Sequence, residues 1–333
     1  MSDQTAIESG PGAIDYRQDN EVESAVIRRL ADNWYRRASV KRPELDLEGL
    51  FEMDRPDYPE DILPFGDHPA YQDLDQAKKQ ELLSWAIIAF NRNTVVAELT
   101  VANPAFGLVI SGEYPGLAGE ALETCLLQAM VDEQYHTLMH INASAVTRRK
   151  RDRAMPDSAL PLPHHSVRHQ EMCAQATERW QASLTTLAFS TVSEIGIGAY
   201  LDLLADNPNV QPINQATAAL HNRDEYCHAS IADELAQVVY PRLEGEQKRF
   251  FVHAMCEGLQ AYAANDYSIW HRIVDLVDVP GGHDMLQECE RAGRKLLVRD
   301  FTGVHALFEK MDVLDQVDFD WSTVKIRRDG QPK

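Results

Sequence analysis

A chain of 333 residues with 44% hydrophobic residues is long enough to build one large domain or two smaller ones around a real core. Its 52 acidic and 32 basic residues give a net charge of −20, which argues against binding to nucleic acid or to an anionic membrane. The N-terminus lacks a signal-peptide pattern, the apolar runs are too short to span a bilayer, and the cysteines are scattered. These features predict a cytoplasmic protein with reduced thiols.

The predicted elements are almost all helical. Residues 1–20 are polar and acidic, and we expect them to form a disordered tail ahead of a single domain over residues 21–333. Hydrophobic periodicity and helix stop signals predict a short helix over 21–38, segment A over 75–102, segment B over 117–150, segment C over 168–204 and segment D over 213–239. Segment A should stop at Asn103-Pro104. The remaining predictions are helices over 244–277 and 282–297 and an extended arm over 317–326.

The lengths of the connections predict how the four long segments are arranged. The links between A and B and between C and D are short, whereas a longer loop rich in Pro and His crosses from B to C. Two antiparallel hairpins joined by one crossover are typical of ferritin-like bundles. We therefore predict an all-α fold, with a ferritin-like four-helix bundle core and additional packing helices.

Segments B and D contain the same string, Asp-Glu-x-x-His, at residues 132–136 and 224–228. A glutamate and a histidine three residues apart project from one face of a helix and can ligate the same metal ion. Segments A and C each hold one glutamate, Glu98 and Glu194, within an apolar stretch where an unpaired carboxylate is costly. Two lone glutamates and two Glu-x-x-His strings are the ligand set of a carboxylate-bridged di-iron or di-manganese centre in a helical bundle.

His221 lies on the same stripe of segment D as Glu225 and His228, so it can add a third imidazole to the site; a core or surface histidine is the alternative. Asp132 and Asp224 can accept the outer ring N–H of a ligating imidazole, either on their own helix or across the bundle, unless they lie on a solvated surface. Hard oxygen donors mixed with imidazole favour iron or manganese over structural zinc.

Several other residues have two readings. His140 is expected to pack in the core or to support a ligand, and Cys227 points about 100° away from His228 and should not ligate. The basic run 148–151 should stabilise the C-terminal end of segment B, with docking of an acidic electron-transfer partner as the alternative. Gly196 and Gly198 allow either close helix packing or a substrate cavity.

Longer stretches resemble the non-haem di-iron arylamine N-oxygenases, the p-aminobenzoate N-oxygenase family. They include WYRRASV near Trp34, PDYPEDILPFGDHP over 56–69, NPAFGLVISGEYPG from Asn103, VDEQYHTLMH from Val131, and LHNRDEYCHASI from Leu220. The likeness covers roughly residues 25–322. It implies iron ligands at Glu98, Glu133, His136, Glu194, His221, Glu225 and His228, with His221 as the ligand that distinguishes the family from bundles with two histidines.

The resemblance also implies the chemistry. Two iron ions would use O2 as co-substrate to oxidise an aryl amine to the hydroxylamine, nitroso and nitro levels through a peroxo-diferric intermediate. The di-iron centre itself would be the catalyst, without a separate protein acid or base. An external two-electron donor or reductase would restart the cycle. The resemblance further implies that the protein forms a homodimer and acts in natural-product (antibiotic) biosynthesis.

One difference from the family concerns the substrate. The predicted pocket consists of Phe90, Asn93, Thr94, Ala97 and Gly198. Members that act on a free benzoate hold its carboxylate with polar and basic groups here, whereas Arg92 is the only basic residue in these turns of segment A. We therefore predict an aminophenyl substrate other than p-aminobenzoate, and a larger one. The alternatives are N-oxygenation of a carrier-protein-bound aminoacyl group, another di-iron hydroxylation or desaturation, and ferritin-like iron storage without an organic substrate.

Overall fold

The computed structural model describes residues 14–15, 25–154, 157–293 and 300–326, and over these ranges the chain is almost entirely helical. The first helices are α1 (Ala25–Arg37), α2 (Pro69–Gln72), α3 (Gln76–Ala97), α4 (Asn103–Ile110), α5 (Glu120–Arg151) and α6 (His164–Gln175). The others are α7 (Arg179–Ala205), α8 (Pro212–Val239), α9 (Gly245–Ala263), α10 (Ser268–Val277), α11 (Gly282–Arg291) and α12 (Thr302–Lys310). Two short strands, β1 (Ile14–Asp15) and β2 (Leu117–Ala118), form a parallel pair.

The long helices α3, α5, α7 and α8 form the centre of the molecule. α3 packs on α5, α7 packs on α8, and α5 packs on α8, so the two helix pairs close into one bundle. α9 covers α7, α1 lies across α5 and α8, and α10 packs on α3. The predicted all-α fold, with a ferritin-like four-helix bundle core and additional packing helices, is confirmed.

Two helical stretches, Gln76–Ile110 and Arg179–Ala205, are long and apolar enough to cross a membrane by composition alone. Both lie at the centre of the bundle. Residues 82–91 of the first and 183–194 of the second are buried without interruption. A helix that is apolar on all sides belongs in a protein core as readily as in a membrane. Packing against the neighbouring helices therefore accounts for their composition.

Segment A was expected to end before Asn103-Pro104, and this prediction is wrong. The helix widens into a π-helical turn, Glu98–Ala102, in which the Asn103 N–H donates to the Glu98 carbonyl, and then continues as α4. Pro104 lies in the first turn of α4, where its missing N–H costs little. The π turn therefore carries the helix past a residue that would break a regular one.

Segment C and the helix predicted over 244–277 are each divided in two, which corrects both predictions. α6 ends at Gln175 and α7 begins at Arg179, where Glu178 and Gln181 form a reciprocal capping box. The second break follows Ala263, and Asp266 Oδ1 there accepts hydrogen bonds from the N–H and hydroxyl of Ser268. The first break makes α6 a separate helix, which packs beside α7 and α9.

The remaining predictions concern the ends of the chain. Residues 1–13 and 16–20 lie outside the described residues, so the disordered tail stays a prediction. The last predicted helix ends at Arg291, and 294–299 also lie outside the described residues. The predicted extended arm contains a 3₁₀ turn, Trp321–Thr323, and is held by the Lys325 carbonyl, which accepts from the Phe301 N–H at 3.0 Å.

Candidate metal centre

The four central helices bring all seven predicted ligands into one buried cluster. Glu98 is the first residue of the π turn, Glu194 lies midway along α7, and the other five project from α5 and α8. None of the seven is more than 5% exposed. All seven side chains therefore point into the interior of the bundle, where they face one another.

The donors fall into two overlapping groups. One contains Glu98, Glu133, His136, His221 and Glu225, and the other contains Glu133, Glu194, Glu225 and His228. Within each group, one donor atom per residue lies within 4.8 Å of all the others. Glu133 and Glu225 belong to both groups, which is the arrangement expected of two carboxylates that bridge a pair of metal ions.

The third histidine, His221 of α8, lies beside the histidine of α5. The rings of His221 and His136 are stacked with centroids 4.0 Å apart, and both are in the five-donor group. His228, on the same helix as His221, is in the four-donor group. The sequence places His221 on the stripe of the second string, whereas the structure places it beside the histidine of the first string. One position of the pair is therefore richer in imidazole.

The two aspartates next to the bridging glutamates reach across the bundle. Asp224 Oδ2 lies 3.3 Å from His136 Nε2, and Asp132 Oδ2 lies 3.4 Å from His228 Nε2. Each aspartate thus faces the outer nitrogen of the histidine on the opposite helix and fixes its orientation. Arg37 Nη1 lies 3.5 Å from both carboxylates and partly balances their charge.

His221 has a different support, which is a chain of neutral side chains. Its Nδ1 lies 2.9 Å from His140 Nε2, and His140 Nδ1 lies 2.8 Å from Asn91 Oδ1. The Asn91 amide donates in turn to the Ser144 hydroxyl at 3.1 Å. Burial and the neighbouring His221 hold the pKa of His140 well below its usual value, so this imidazole stays neutral. The structure therefore favours the supporting role of His140 over simple core packing.

Electrostatics divides the glutamates into two kinds. Burial, reinforced by the charge of Glu133, raises the pKa of both Glu98 and Glu194 well above the usual value. Burial also opposes ionisation of the two shared carboxylates, but His228 and other imidazoles outweigh it and lower the pKa of Glu133 and Glu225. The shared carboxylates are therefore the most acidic groups of the cluster.

The histidines respond to the same charges. Burial and His221 lower the pKa of His136, but hydrogen bonds with Asp224 and Glu133 outweigh them and raise it to about 9. Burial likewise opposes protonation of His228, but the Glu133 carboxylate raises its pKa well above the usual value. The carboxylates therefore stabilise positive charge inside the cluster.

The donor set fits a pair of metal ions. Both carboxylate oxygens of Glu98, Oε1 of Glu133 and Oε2 of Glu194 are buried without a well-aligned hydrogen bond to any described residue, although His228 Nδ1 lies only 2.7 Å from Glu133 Oε1. Buried polar atoms almost always have a partner, so oxygens that approach imidazole nitrogens without bonding them indicate a cation site. Oxygen and imidazole donors suit iron or manganese. Cys227 is not among the donors, as expected.

A cleft of about 590 Å³ lies next to the cluster. Three residues of the predicted pocket line it, namely Asn93, Thr94 and Ala97. Ala97 adjoins Glu98 in sequence, and Ile197, another lining residue, is one helical turn from Glu194. The cleft therefore opens beside the two lone glutamates.

The other two predicted pocket residues lie elsewhere. Phe90 lines a second cavity of about 610 Å³ that shares Asn93 and Tyr200 with the cleft. Gly198 is not a lining residue of the cleft: a Cβ there would lie 3.3 Å from Asn222 Oδ1, so this glycine serves close packing of α7 on α8. At Gly196 a Cβ would lie 3.0 Å from the ring of Tyr262, which does line the cleft.

Sequence reasoning missed the far walls of the cleft. His165 and Ser166 of α6 and Tyr262 of α9 line it, and His165 packs against the rings of Phe189 and Tyr262. The His164-His165 pair in the crossover was a visible signal, but nothing in its spacing connects it to segments A and C. The basic run 148–151 forms ion pairs with nearby carboxylates: Arg149 and Lys150 pair with Glu48, and Arg151 pairs with buried Asp57.

Comparison with known proteins assigns the family. A sequence model described as p-aminobenzoate N-oxygenase AurF matches residues 20–312. A 4-aminobenzoate N-oxygenase of Streptomyces thioluteus is 32% identical over 309 residues, which make up 91% of each chain. Among solved structures, one variant of an R2-like ligand-binding oxidase with an aerobically reconstituted Mn/Fe cofactor has 14% identity and a TM-score of 0.47, and it covers 94% of this chain and 96% of its own. A second variant has a TM-score of 0.45 at 14% identity, covering 94% and 95%.

The sequence comparisons extend over nearly the whole described part of the chain, including the residues that hold the seven predicted ligands. The chain belongs to the p-aminobenzoate N-oxygenase AurF family, and it is an oxygenase, that is, an oxidoreductase.

Proposed function

We propose that this oxygenase uses O2 to oxidise the nitrogen of an aryl amine, first to the hydroxylamine and then to the nitroso and nitro levels, at a pair of iron ions. The single observation that carries the proposal is the buried cluster of four glutamates and three histidines, in which two carboxylates are shared between two groups of donors. The proposed ligands are Glu98, Glu133, His136, Glu194, His221, Glu225 and His228.

A bound iron pair would supply the electrons that activate O2. The protein itself would hold the two ions, orient their ligands and exclude water from the site. Glu133 and Glu225 would fix the spacing of the two ions, because each belongs to both groups. Asp132 and Asp224 orient two of the imidazoles, and burial of the cluster excludes water from it.

The stoichiometry of the reaction shows which reactants must be supplied from outside the protein. Conversion of an amine to its hydroxylamine consumes one O2, two protons and two electrons and releases one water. The substrate itself does not provide these electrons, so an external donor is required. We therefore include a two-electron supply from a donor protein or reductase in the proposed function.

The lining of the cleft supports an aryl amine without a free carboxylate. Among the described residues that line it there is no lysine or arginine, and the charged side chain present is Asp266. Arg92, the basic residue nearest in sequence, donates instead to the backbone carbonyl of Pro161. A benzoate carboxylate there would lose hydration without gaining an ion pair to a lysine or arginine, which is unfavourable.

The adjoining cavity supports a larger substrate. Tyr58, Phe90, Tyr200 and Trp270 line it, and Phe90 and Tyr200 are stacked with ring centroids 4.3 Å apart. Because the cavity and the cleft share Tyr200, one elongated molecule can occupy both. We infer that the amine end lies beside the metal centre and that a second flat, apolar group lies among these aromatic side chains.

The experiment compares 4-aminobenzoate with its methyl ester and with 4-aminobiphenyl, using iron-loaded enzyme with an excess of chemical reductant and mass spectrometry of the products. The values of kcat/KM for the ester and the biphenyl should exceed that for the acid by about tenfold or more, equivalent to about 1.4 kcal/mol. Trp270→Ala should reduce kcat/KM for the biphenyl amine but leave aniline unaffected. Faster turnover of the acid than of the ester would contradict the substrate class.

The same experiment separates the other functions. Products oxygenated or desaturated at carbon would indicate a hydroxylase or desaturase, and activity only on a carrier-bound amine would indicate the aminoacyl alternative. Iron uptake far beyond two ions per chain without amine oxidation would indicate storage. Metal analysis of the purified protein should give about two iron ions per chain, and Glu133→Ala should lose both because it removes a donor common to the two groups.

We also infer that the protein acts as a cytoplasmic homodimer in a biosynthetic pathway for a natural product such as an antibiotic. All five cysteines are free thiols, and four of them are buried. This supports a reducing compartment. The support for a dimer comes from an exposed apolar stripe on α5.

A further inference from the structure

We propose that α1 and the turn after it form the docking surface for an acidic one-electron carrier protein of the iron–sulfur type, and that Trp34 and Asp132 connect this surface to His228 at the metal centre. The proposal rests on the proposed function, which requires electrons from outside but does not say where they enter. Two independent features carry it, a local reversal of charge and a continuous line of contacts.

The charge of this surface is opposite to that of the molecule. Residues 28–42 hold six of the chain's 32 basic residues and one acidic residue, whereas the whole chain has a net charge of −20. Arg29, Arg36, Lys41 and Arg42 are exposed. Among the described residues, none of these four has a carboxylate within ion-pair distance. A cluster of unpaired positive charge on an acidic protein attracts acidic partners selectively.

The basic surface surrounds an exposed aromatic side chain. Tyr35 is 69% exposed, and its ring meets that of Trp34 edge-on with centroids 5.1 Å apart. The Lys41 ammonium lies over both rings, 4.5 Å from Trp34 and 5.6 Å from Tyr35. An aromatic residue within a ring of charged ones is typical of the centre of a protein–protein interface.

A line of hydrogen-bonded groups leads inward from this point. The indole N–H of buried Trp34 donates to both oxygens of Asp132, at 2.9 and 3.0 Å. Asp132 Oδ2 lies 3.4 Å from His228 Nε2, and the other nitrogen of this ring faces the shared carboxylates. Of the two aspartates, Asp132 contacts an aromatic side chain, whereas Asp224 accepts from the Ser39 backbone N–H. The four-donor side of the centre is thus connected to the surface through an aromatic side chain, whereas the five-donor side is connected through a backbone N–H.

The other concentration of basic residues is unsuited to this role. Arg149 and Lys150 both pair with Glu48, and Arg151 is held by buried Asp57. These two carboxylates offset half of the four positive charges of the run. Docking of an electron donor, considered for residues 148–151 from sequence, is therefore better assigned to α1.

The electron balance requires two dockings per amine oxidation. Each reduced carrier would give up one electron and leave oxidised, and two such transfers would return a bound iron pair from the diferric to the diferrous state. No bond is formed or broken between the carrier and this chain. Trp34 serves as a positioning and transfer residue, because it contacts neither substrate nor metal.

The first test measures docking without catalysis. A plant-type [2Fe–2S] ferredoxin, which is acidic, is titrated into metal-free and iron-loaded protein at low salt, and Kd is determined calorimetrically. The double variant Arg29→Glu/Arg36→Glu should weaken binding about tenfold or more, and rising salt should abolish the difference. The matched control, Arg249→Glu/Arg291→Glu, changes the charge equally on exposed residues of α9 and α11 and should bind as the wild type does.

The second test measures the inward route. In stopped-flow experiments, Trp34→Phe should slow reduction of the iron-loaded enzyme by reduced ferredoxin about tenfold or more, while the Kd and the rate of reduction by dithionite stay unchanged. Trp180→Phe, which removes a surface indole bonded to Glu178, is the control. Far-UV circular dichroism and iron content establish that each variant is folded and loaded.

The outcomes distinguish this proposal from the proposed function. Equal affinity of ferredoxin for the wild type and the α1 double variant, or no binding to either, overturns the docking surface. An unchanged reduction rate in Trp34→Phe overturns the route. In both cases amine oxidation driven by dithionite would persist, whereas failure of the proposed function would abolish product formation whatever the reductant.

Discussion

At the scale of single residues, the three histidines of the cluster are supported in two different ways. The outer nitrogens of His136 and His228 face ionisable carboxylates, whereas that of His221 faces a neutral imidazole. If His221 binds metal through Nε2, its Nδ1 carries the proton and His140 must accept it at Nε2. His140 Nδ1 then donates to Asn91 Oδ1, and the Asn91 amide donates to Ser144, so one assignment satisfies the whole chain.

This chain of tautomers leads to a prediction for His140. His140→Phe removes the acceptor for the outer N–H of His221, so metal affinity of the five-donor position should fall about 10- to 100-fold. His140→Gln retains an oxygen that can accept and should restore most of the affinity. Competition with a chelator, followed separately for the first and second metal ion, measures the effect. Wild-type affinity in His140→Phe would show that this histidine only fills space.

Sequence reasoning identified the residues of the cluster but not how they pair. Spacing within one helix is enough to place Glu133 beside His136 and Glu225 beside His228, because three residues are nearly one turn. The pairing of Asp132 with His228 and of His221 with His136 depends on the relative height and rotation of α5 and α8. Those quantities are set by core packing of many apolar side chains, which no local pattern records.

At the scale of elements, the π turn is the feature that most directly shapes the site. Such turns contain one residue more than a regular helix and often occur at functional sites. Here the turn begins at Glu98, and the Asn103 N–H bonds to the carbonyl of that residue. The extra residue rotates Glu98 relative to α4 while α3 and α4 both remain packed on α5. The turn therefore lets one long helix serve both the core and the metal centre.

Deletion of Leu99, which is 44% exposed, tests this interpretation. The shortened segment should close into a regular α-helix with α4 in its original register, so the fold and the thermal stability should be kept. The position of the Glu98 carboxylate should change, and metal bound at the five-donor position should be lost while the four-donor position still fills. Metal content and circular dichroism measure both effects. Leu99→Ala, which keeps the chain length, is the control and should bind metal normally.

The element boundaries show where sequence signals are reliable. The stop expected at Asn103-Pro104 is wrong because a proline in the first turn of a helix is well tolerated, and the sequence does not reveal the π turn that precedes it. The break between α6 and α7 had a local signal, the capping box of Glu178 and Gln181. It was outweighed by apolar periodicity that runs through both helices.

At the scale of the whole molecule, α5 presents a surface that the monomer leaves uncovered. Leu127, Val131, Leu138 and Ile141 are 45–53% exposed, and with Gln134 between them they follow the spacing of a coiled-coil seam. Every exposed residue of α5 from Thr124 to Asn142 is uncharged, in a chain of which 25% is charged. Such a stripe about 27 Å long is typical of a buried interface rather than of a solvated helix face.

An isologous interface places the same patch on both sides, and a two-fold axis perpendicular to α5 would pair this stripe with that of a second copy in antiparallel orientation. We therefore expect the wild type to sediment as a dimer at micromolar concentration. Leu138→Asp should raise the dimer dissociation constant about 100-fold or more, since a buried unpaired carboxylate costs several kcal/mol. Met53→Asp, at another exposed apolar residue, should remain dimeric. A wild-type monomer would contradict the prediction, and unchanged ferredoxin affinity in Leu138→Asp would show that dimerisation and electron delivery use separate surfaces.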